Sequence, residues 1–428
     1  MFCVVNLGCK VNRVESDGFE RLLAERGGVP APEAEADLIV VNTCTVTGEA
    51  EKKTRKAVRH ALNASAGAQV IVTGCATEID QETYASLGER VTVVPKAEAA
   101  IYLAETFDGA GEASSANSTP AQDKAGADSE DTVLASQSNG VAASPMPSDG
   151  RTRIGIKVQD GCDNACTYCI VHVARGRATS RSADEVVAEA TALARAGVRE
   201  IVLTGINLGS YDDEGCDLAD LCRRLLEDTA DLHEPGEPPC RFRIGSIEPM
   251  DVSMDFIGLL ADAEGRLCRH LHLPLQSGSS KVLREMARPY DAEEYRQLVD
   301  YLRAMVPEIA LTTDIIVGFP GETEENFEDT VKLAQHCGFS KIHVFPYSRR
   351  EGTPAAQRPD QVPPDVKAAR AARLRQLSDE LAAADRANRA GTTELALVET
   401  STRATTESYH EIALTESCSV GSLVTLAL

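Results

Sequence analysis

Apolar residues in the first hundred positions fall into short runs, separated by stretches in which they recur every three or four residues. The runs are FCVVNLG, DLIVVNTC, QVIVTGC and RVTVVP, each about the length of one strand. Near-continuous apolar strands that alternate with amphipathic helices are typical of a parallel sheet covered by helices on both faces. Residues 1–107 are therefore predicted to form an α/β domain.

A second series of strand and helix patterns runs from residue 151 to residue 363. Strand-like runs such as RIGIKVQD, EIVLTG, HLHLPL and KIHVFPY alternate with segments of helical periodicity. About six such units in ~200 residues predict a (β/α) barrel, whose functional groups gather at the carboxyl ends of its strands.

Three shorter segments complete the domain prediction. Residues 108–150 are rich in Ala, Ser, Gly and Asp, with seven acidic residues and one lysine, and predict a disordered acidic linker. Residues 364–390 predict a connecting helix. Residues 391–428 contain Thr- and Val-rich runs and predict a small β module. The predicted fold class is α/β, with this β module at the carboxyl end.

The charge balance limits what the chain can bind. Its 428 residues include 43 Lys and Arg against 66 Asp and Glu, a formal net charge of −23. This excludes a broadly basic nucleic-acid binder but leaves local basic clusters, at residues 52–59, 151–181 and 367–389, that can contact phosphates. No apolar run reaches the ~18–20 residues of a membrane span, so we expect a cytoplasmic protein without a membrane partner.

The chain has 13 cysteines, an odd number with no signal peptide before it, so we expect metal binding or catalysis rather than a disulfide framework. Three of them directly follow predicted strands and form what we call the amino-terminal triad: Cys9, Cys44 and Cys75. Because the carboxyl ends of parallel strands share one sheet edge, these thiols are predicted to meet. Three others form a C-x3-C-x2-C run within GCDNACTYC, which we call the barrel triad: Cys162, Cys166 and Cys169.

The barrel triad allows two metal-site interpretations. Three thiolates in one loop can hold three irons of a [4Fe-4S] cluster and leave the fourth iron open for a ligand. A zinc loop is the alternative, with His172 as the nearby fourth ligand. The remaining seven cysteines lack ligand spacing and are predicted to be packing residues: Cys3, Cys216, Cys222, Cys240, Cys268, Cys337 and Cys418.

The segment VQDGCDNACTYCIVHVARGRATSR resembles the cluster loop of the radical S-adenosylmethionine (SAM) superfamily. Together with LGCKVNRVESD, VNTCTVT and TGCATEI upstream, it makes the chain similar to the methylthiotransferases of that superfamily. The resemblance implies that the barrel triad is catalytic and holds a [4Fe-4S] cluster. The free iron of that cluster would bind the methionine part of SAM, and its electron would generate a 5′-deoxyadenosyl radical. The amino-terminal triad is implied to hold a second [4Fe-4S] cluster.

Similarity and residue chemistry together predict the SAM contacts as Thr204, Gly205, Ser246, Glu248, Gln276, Ile316 and Gly318. Gly205 has no Cβ, so its backbone can approach the methionine amino group closely. The carboxylate of Glu248 suits ribose hydroxyls, and Ile316 with Gly318 could flank the adenine. Arg175 and Arg177 are predicted to face the SAM carboxylate or a tRNA phosphate, or else to form surface ion pairs.

Within the family, EIVLTGINLGSY, HLHLPLQSGSSKVLREMARPY, TTDIIVGFPGET and HVFPYSRREGTPAA are most similar to the branch that methylthiolates N6-threonylcarbamoyladenosine (t6A) at position 37 of tRNA. The resemblance implies a transferase that acts at C2 of the base and uses SAM both as methyl donor and as radical source. Two sister activities stay open, on isopentenyladenosine in tRNA and on an aspartate of a ribosomal protein. A non-catalytic metal-binding RNA-binding protein is the alternative of another class.

The resemblance also implies partners: a tRNA anticodon loop, an electron donor such as flavodoxin or ferredoxin, and a protein that acts as a monomer. In the family the carboxyl-terminal domain is an RNA-binding β-barrel, the TRAM domain. Residues 391–428 are short for such a barrel and contain Arg403 as their single Lys or Arg, so we expect a shortened TRAM-like module. Tyr409 could stack on an RNA base or simply pack.

Overall fold

The computed structural model describes residues 1–45, 48–107 and 150–428 of the chain. The predicted linker, 108–150, lies outside the described residues except for Gly150. The predicted fold class is confirmed, with two α/β regions and a small antiparallel sheet at the carboxyl end. The predicted domain boundaries stay predictions.

The amino-terminal region is a parallel sheet whose strands lie side by side in chain order. Its strands are β1 (Phe2–Asn6), β2 (Leu38–Thr43), β3 (Gln69–Gly74) and β4 (Val91–Val93). Its helices are α1 (Lys10–Glu25), α2 (Gly48–Ala64), α3 (Cys75–Ile79), α4 (Gln81–Ala85) and α5 (Ala99–Thr106). Strand β2 is buried along its whole length, as its unbroken apolar run predicts, because helices cover both faces.

The central region is an incomplete parallel barrel. Its six main strands are β5 (Arg153–Lys157), β8 (Glu200–Thr204), β11 (Arg241–Ile244), β12 (His270–His272), β13 (Ala310–Val317) and β14 (Lys341–Pro346). Two hydrogen-bonded groups, β5-β8-β11 and β12-β13-β14, are linked by the bridge between Ser246 and His272. Short ribbon strands precede or follow the main ones: β6 (Gln159–Asp160), β7 (Thr179–Ser180), β9 (Asp212–Asp213) and β10 (Cys216–Asp217).

Helices cover the outside of the barrel, and alternate strand residues pack against them. The helices are α6 (Val171–Arg175), α7 (Ala183–Arg195), α8 (Leu218–Asp228), α9 (Met254–Asp262), α10 (Ser280–Glu285), α11 (Ala292–Met305), α12 (Glu324–Cys337) and α13 (Pro354–Gln357). On β13, Leu311, Ile315 and Val317 belong to the main hydrophobic core. Because side chains alternate along a strand, Asp314 and Ile316 face the lumen instead.

The amino-terminal region packs against the barrel through α1 and β5. A Cβ on Gly155 would lie 2.6 Å from Val14 Cγ2, so the glycine permits this close approach. Asp17 pairs with Arg151 at 2.7 Å. The two regions therefore meet along the edge strand of the barrel.

A long helix, α14 (Pro364–Arg389), leads to the carboxyl-terminal sheet and matches the predicted connecting helix. The antiparallel sheet has the order β17-β16-β15-β18, with β15 (Thr393–Thr400), β16 (Arg403–Thr406), β17 (Glu411–Ala413) and β18 (Leu423–Ala427). Sequence patterning missed β16, because RATT contains no aliphatic run.

The sheet docks on the barrel through two buried arginines that point into the lumen. Arg241 and Arg243 pair with Glu200 and also donate to main-chain carbonyls of the module, including those of Thr405 and Thr406 at 2.9 Å. All three charged side chains are almost fully buried, which their mutual pairing makes tolerable. In the described ranges, no helix is long and apolar enough to cross a membrane.

Candidate active site

The barrel triad lies in one loop between β6 and α6, at the carboxyl end of the first barrel strand. The loop turns at Gly161, which has φ +68°, and a Cβ there would lie 1.9 Å from the Arg177 carbonyl oxygen. Backbone N–H groups of Asn164 and Val171 donate to Cys162 Sγ and Cys169 Sγ, each at 3.4 Å. Such bonds favour a thiolate, which is the form that binds iron.

A buried arginine contacts the third sulfur of this loop. Arg288 is 1% exposed, and one of its guanidinium nitrogens donates to Cys166 Sγ at 3.1 Å. Another nitrogen pairs with the carboxylate of Glu248. Burial raises the pKa of Glu248, and the neighbouring arginine opposes that rise. Arg288 thereby links the barrel triad to a predicted SAM contact.

The amino-terminal triad comes from three separate turns at one edge of the sheet. Cys9 precedes α1, Cys44 follows β2, and Cys75 begins α3 directly after β3. Gly8 has φ +113°, and a Cβ there would lie 2.7 Å from Cys44 Cβ, so the first two turns are in close contact. Asn12 accepts from Cys9 Sγ at 3.4 Å and lies 3.9 Å from Cys75 Sγ.

Arg175, from the barrel region, reaches into this amino-terminal group. Its side chain is 1% exposed, and its Nε donates to Cys75 Sγ at 3.0 Å. Its other nitrogens donate to Asn12 Oδ1 at 2.6 Å, Glu15 Oε1 at 3.1 Å and Asp160 Oδ1 at 2.8 Å. One guanidinium therefore connects the two halves of the candidate site.

Three placements are predicted for Arg175 and Arg177: facing the SAM carboxylate, facing a tRNA phosphate, or in a surface ion pair. Arg175 is neither a surface residue nor a lining residue of the cavity at the barrel triad. Arg177 is 89% exposed and pairs with Asp163 at 3.1 Å, an ordinary surface ion pair. The different environments of two arginines only two residues apart follow from the turn at Gly176, which has φ +72°.

The spacing of the sulfurs bears on the kind of metal site. Zinc bound by thiolates has Zn–S bonds of ~2.3 Å, which brings the sulfurs within about 4 Å of one another. Among the described residues, one group of three His, Cys, Asp or Glu side chains has its potential ligand atoms all within 4.8 Å of one another. That group is His272, Asp314 and His343. Neither cysteine triad is that compact. A cubane cluster binds each thiolate to a separate iron, so its ligands need not lie that close together.

Burial sets the ionisation of the thiols before any metal binds. It raises the pKa of Cys75 to about 11, with Arg175 opposing the rise, and it raises the pKa of Cys169 to about 11 as well. These thiols are therefore protonated near neutral pH. Cluster binding must displace their protons, which couples iron affinity to pH.

A cavity of about 490 Å³ opens beside the barrel triad, and we call it the upper cavity. Cys169 lines it together with two of the predicted SAM contacts, Gln276 and Ile316. Gln276 has φ +64°, an uncommon backbone conformation for a residue with a side chain. Asp314 and Tyr168 also line this cavity, although the sequence analysis assigned them no role.

The other predicted SAM contacts lie around rather than in the upper cavity. Thr204 lines a separate cavity beside α1, and its buried hydroxyl has no hydrogen-bond partner. A Cβ on Gly205 would lie 2.9 Å from Gln159 Oε1, so a larger residue has no space there. Ser246 accepts from the Leu208 N–H at 3.3 Å through its carbonyl oxygen. The Gly318 N–H donates to Glu322 at 2.6 Å.

Of the three residues that contact cysteine sulfurs, the sequence analysis named Arg175, but in another role, and did not identify Arg288 or Asn12. Asn12 stands in LGCKVN and Arg288 in MARPY, both segments that carry the family resemblance, but neither had ligand spacing to mark it. His172, the proposed fourth zinc ligand, has a buried Nδ1 without a partner. Four of the seven cysteines predicted to pack are buried: Cys222, Cys240, Cys268 and Cys337.

Comparison with known proteins gives two matching families in separate parts of the chain. Residues 156–334 match the radical SAM superfamily, and residues 1–95 match the uncharacterized protein family UPF0004. The first match implies SAM and a [4Fe-4S] cluster as cofactors. A solved structure of the radical S-adenosylmethionine methyltransferase TsrM from Kitasatospora setae superposes with a TM-score of 0.56 at 17% identity, covering 83% of this chain and 73% of that one. At that identity the likeness shows the fold alone.

Relatives of higher identity extend over most of the chain. The threonylcarbamoyladenosine tRNA methylthiotransferase MtaB of Bacillus subtilis is 38% identical over 377 residues, which cover 88% of this chain and 80% of the relative. The tRNA-2-methylthio-N(6)-dimethylallyladenosine synthase of Desulfotalea psychrophila is 32% identical over 416 residues, covering 93% and 88%. The chain belongs to the radical SAM methylthiotransferase family.

Proposed function

We propose that this protein transfers a methylthio group to C2 of t6A at position 37 of tRNA, with SAM as methyl donor and radical source. The observation that carries the proposal is the 38% identity to a threonylcarbamoyladenosine tRNA methylthiotransferase over 377 residues. The presence of two separate cysteine triads supports it, since the reaction needs both a radical and a sulfur carrier.

Each triad is proposed to hold one [4Fe-4S] cluster. The barrel triad provides three thiolates in one loop with a cavity beside it, as an open iron site requires. The amino-terminal triad provides three more, with Asn12 and Arg175 against its sulfurs. When bound, the first cluster supplies the electron that cleaves SAM, and the second carries the sulfur that is methylated.

The protein's own residues position the reactants. Gln276 and Ile316 are proposed to contact SAM in the upper cavity, with Glu248 and Ser246 toward the ribose and Thr204-Gly205 toward the methionine. Gly318 is proposed to lie against the adenine. Arg288 would hold the Glu248 carboxylate in place, because that carboxylate otherwise lacks a counter-charge in a buried site.

Binding of tRNA is proposed to use local basic clusters rather than net charge. On α2, the side chains of Lys52, Lys56 and Arg59 are exposed on the face away from the sheet. Phosphate contacts from such a face supply affinity without sequence information. With tRNA as the substrate, we also propose a cytoplasmic location. We further propose a monomer that receives electrons from a flavodoxin or ferredoxin.

The proposal is tested by expressing the chain in a bacterium that lacks its own t6A methylthiotransferase and analysing tRNA nucleosides by mass spectrometry. We expect 2-methylthio-t6A to reappear. Appearance of 2-methylthio-isopentenyladenosine instead, in a host that lacks that enzyme, would assign the chain to the sister activity that other relatives carry. A protein that binds RNA but produces neither nucleoside contradicts the proposal.

A further inference from the structure

The barrel strands bring two histidines and one aspartate together in the lumen. His272 ends β12, Asp314 lies in the middle of β13, and His343 lies on β14. These three strands are adjacent and parallel, and Asp314 is directly opposite His343 in their register. His272 is opposite Thr312, and side chains two residues apart on one strand point to the same side. All three side chains therefore face the lumen, and we call them the lumen cluster.

The ligand atoms of the lumen cluster lie at distances that one metal ion can span. They are all within 4.8 Å of one another, and His272 Nε2 lies 3.3 Å from Asp314 Oδ1. Zinc binds imidazole nitrogen and carboxylate oxygen at ~2.0–2.2 Å, so two ligand atoms on a tetrahedral ion are about 3.3–3.6 Å apart. His343 is exposed, so its ring has space to move the remaining distance. The cluster therefore needs only side-chain rotation to bind one ion.

A cavity of about 620 Å³, which we call the lower cavity, lies beside the lumen cluster. His272 and His343 line it, whereas Asp314 lines the upper cavity. The lower cavity gives an ion access to both imidazoles without passage through the upper one. Lys10 and Lys341 line the lower cavity as well and repel a cation, so we expect an affinity in the micromolar range rather than a tighter one.

A hydroxyl group orients the His272 ring toward the aspartate. Its Nδ1 lies 3.0 Å from Thr312 Oγ1, which leaves its Nε2 directed at Asp314. Metal-binding histidines are typically held in this way, with one ring nitrogen bonded to an outer partner and the other on the metal. The same hydroxyl lies 3.2 Å from Nε2 of His270, a buried ring whose Nδ1 has no partner. An unsatisfied buried nitrogen in the wall of the lower cavity points to a ligand or an ordered water there.

We infer that the lumen cluster binds one divalent metal ion of the zinc class, an inference that is independent of the proposed function. Two imidazoles and one carboxylate form the ligand set of a common type of zinc site, and they leave a fourth position for water or an anionic oxygen. With the same nitrogen and oxygen ligands, zinc binds more tightly than iron(II) or manganese(II). The three ligands belong to neither cysteine triad, so this ion is additional to the proposed clusters.

The test adds Zn²⁺ to iron-loaded holoenzyme and measures bound zinc by elemental mass spectrometry after gel filtration. We expect about one zinc per chain, with X-ray absorption showing nitrogen and oxygen ligands at ~2.0–2.1 Å and no sulfur at ~2.3 Å. His343→Ala and Asp314→Asn should each weaken zinc binding by at least about 100-fold, because loss of an outer partner alone costs ~10–100-fold. His343 is exposed and asparagine keeps the shape of aspartate, so iron content and folding should be unchanged.

The matched control is His336→Gln, on the outer helix α12. His336 pairs with Asp300 at 2.8 Å, but this pair has no third ligand among the described residues, so the variant should bind zinc like the wild type. Wild-type holoenzyme that retains no zinc overturns the inference, and so does zinc with sulfur ligands, which the cysteine triads would hold. Equal zinc affinity in His343→Ala and wild type overturns it too. Selective loss of zinc in the two cluster variants supports the inference whether or not the chain methylthiolates tRNA.

Discussion

The two cysteine triads are built in different ways. The barrel triad comes from one loop of eight residues, Cys162–Cys169, held by its own backbone bonds. The amino-terminal triad comes from three turns that are remote in sequence, and its Cys75 receives a hydrogen bond from Arg175 of the other region. A local motif needs only its loop, whereas an assembled site needs the sheet and the interface between regions. Damage to packing should therefore affect the second triad first.

The two triads nevertheless have one feature in common, a buried arginine beside a sulfur. In each, a single buried guanidinium donates to one sulfur and pairs with a carboxylate, as Arg288 does with Cys166 and Glu248, and Arg175 with Cys75 and Glu15. A fixed positive charge beside a thiolate stabilises the charged form. The difference is that Arg288 comes from within the barrel, whereas Arg175 crosses between regions.

The largest expected effect separates the two triads by function. Cys166→Ala should abolish SAM cleavage, measured as 5′-deoxyadenosine, because it removes one of three ligands of the proposed barrel cluster. Cys44→Ala should retain SAM cleavage but give no methylthiolated tRNA. The control Cys418→Ala removes a half-buried cysteine between β17 and β18 of the carboxyl-terminal module and should change neither product. The reverse pattern for the first two variants would overturn the assignment of the clusters.

A smaller effect is expected from the paired arginines. Arg175→Met removes the most buried of three cations that pair with Glu15 and Asp160. Because both carboxylates keep Lys96 and Lys157, the loss should cost about 1–3 kcal/mol at the interface. We expect iron bound at the amino-terminal triad to fall, by electron paramagnetic resonance, while the barrel cluster persists. Arg288→Met should show the opposite selectivity. Equal loss of both signals in either variant would mean that the arginines support the fold rather than one triad each.

Replacing a glycine by alanine should lower iron binding where the glycine packs against the amino-terminal triad, but not where it lies on the surface of a helix. Gly8→Ala places a Cβ 2.7 Å from Cys44 Cβ at φ +113°, and such strain costs about 1–3 kcal/mol. It should lower iron content at the amino-terminal triad only. The matched control, Gly18→Ala in α1, has nothing within 4 Å of the new Cβ and should raise stability by ~0.5–1 kcal/mol in thermal unfolding. Normal iron loading in Gly8→Ala contradicts the close packing of the first two turns.

The smallest expected difference is in the rate at which the two triads lose iron. Each triad has at least one buried cysteine, but the most accessible thiol of the amino-terminal triad, Cys9, is exposed, whereas those of the barrel triad, Cys162 and Cys169, are half-buried. A chelator therefore reaches the amino-terminal triad more readily. Under mild oxidation with a chelator, iron from that triad should be released first, followed by spectroscopy over time. Release of both clusters at one rate would show that exposure of a single ligand does not control access.

Local patterns predicted much of the fold but only part of the site. The apolar runs marked the parallel strands, and helical periodicity placed the connecting helix at 364–390, against an observed Pro364–Arg389. The barrel triad was predictable because its spacing lies within one loop. The role of Arg175 was not, because it depends on how two regions pack. Asp314 and His270 were likewise not singled out, because their positions in the lumen depend on how neighbouring strands pack.

The docking of the carboxyl-terminal sheet has a consequence for how that module can evolve. Arg241 and Arg243 donate hydrogen bonds to main-chain carbonyl oxygens of the module, such as those of Leu395, Thr405 and Thr406, and Arg243 also lies over the Tyr409 ring at 4.6 Å. Every residue type offers the same carbonyl, so these contacts do not depend on the module's side chains, whereas the ion pairs of Glu399 with Arg153 and of Glu407 with Arg269 do. Provided that Glu399 and Glu407 are kept, the outer surface of the sheet can change in sequence, and with it what that surface recognises, without loss of the attachment to the barrel.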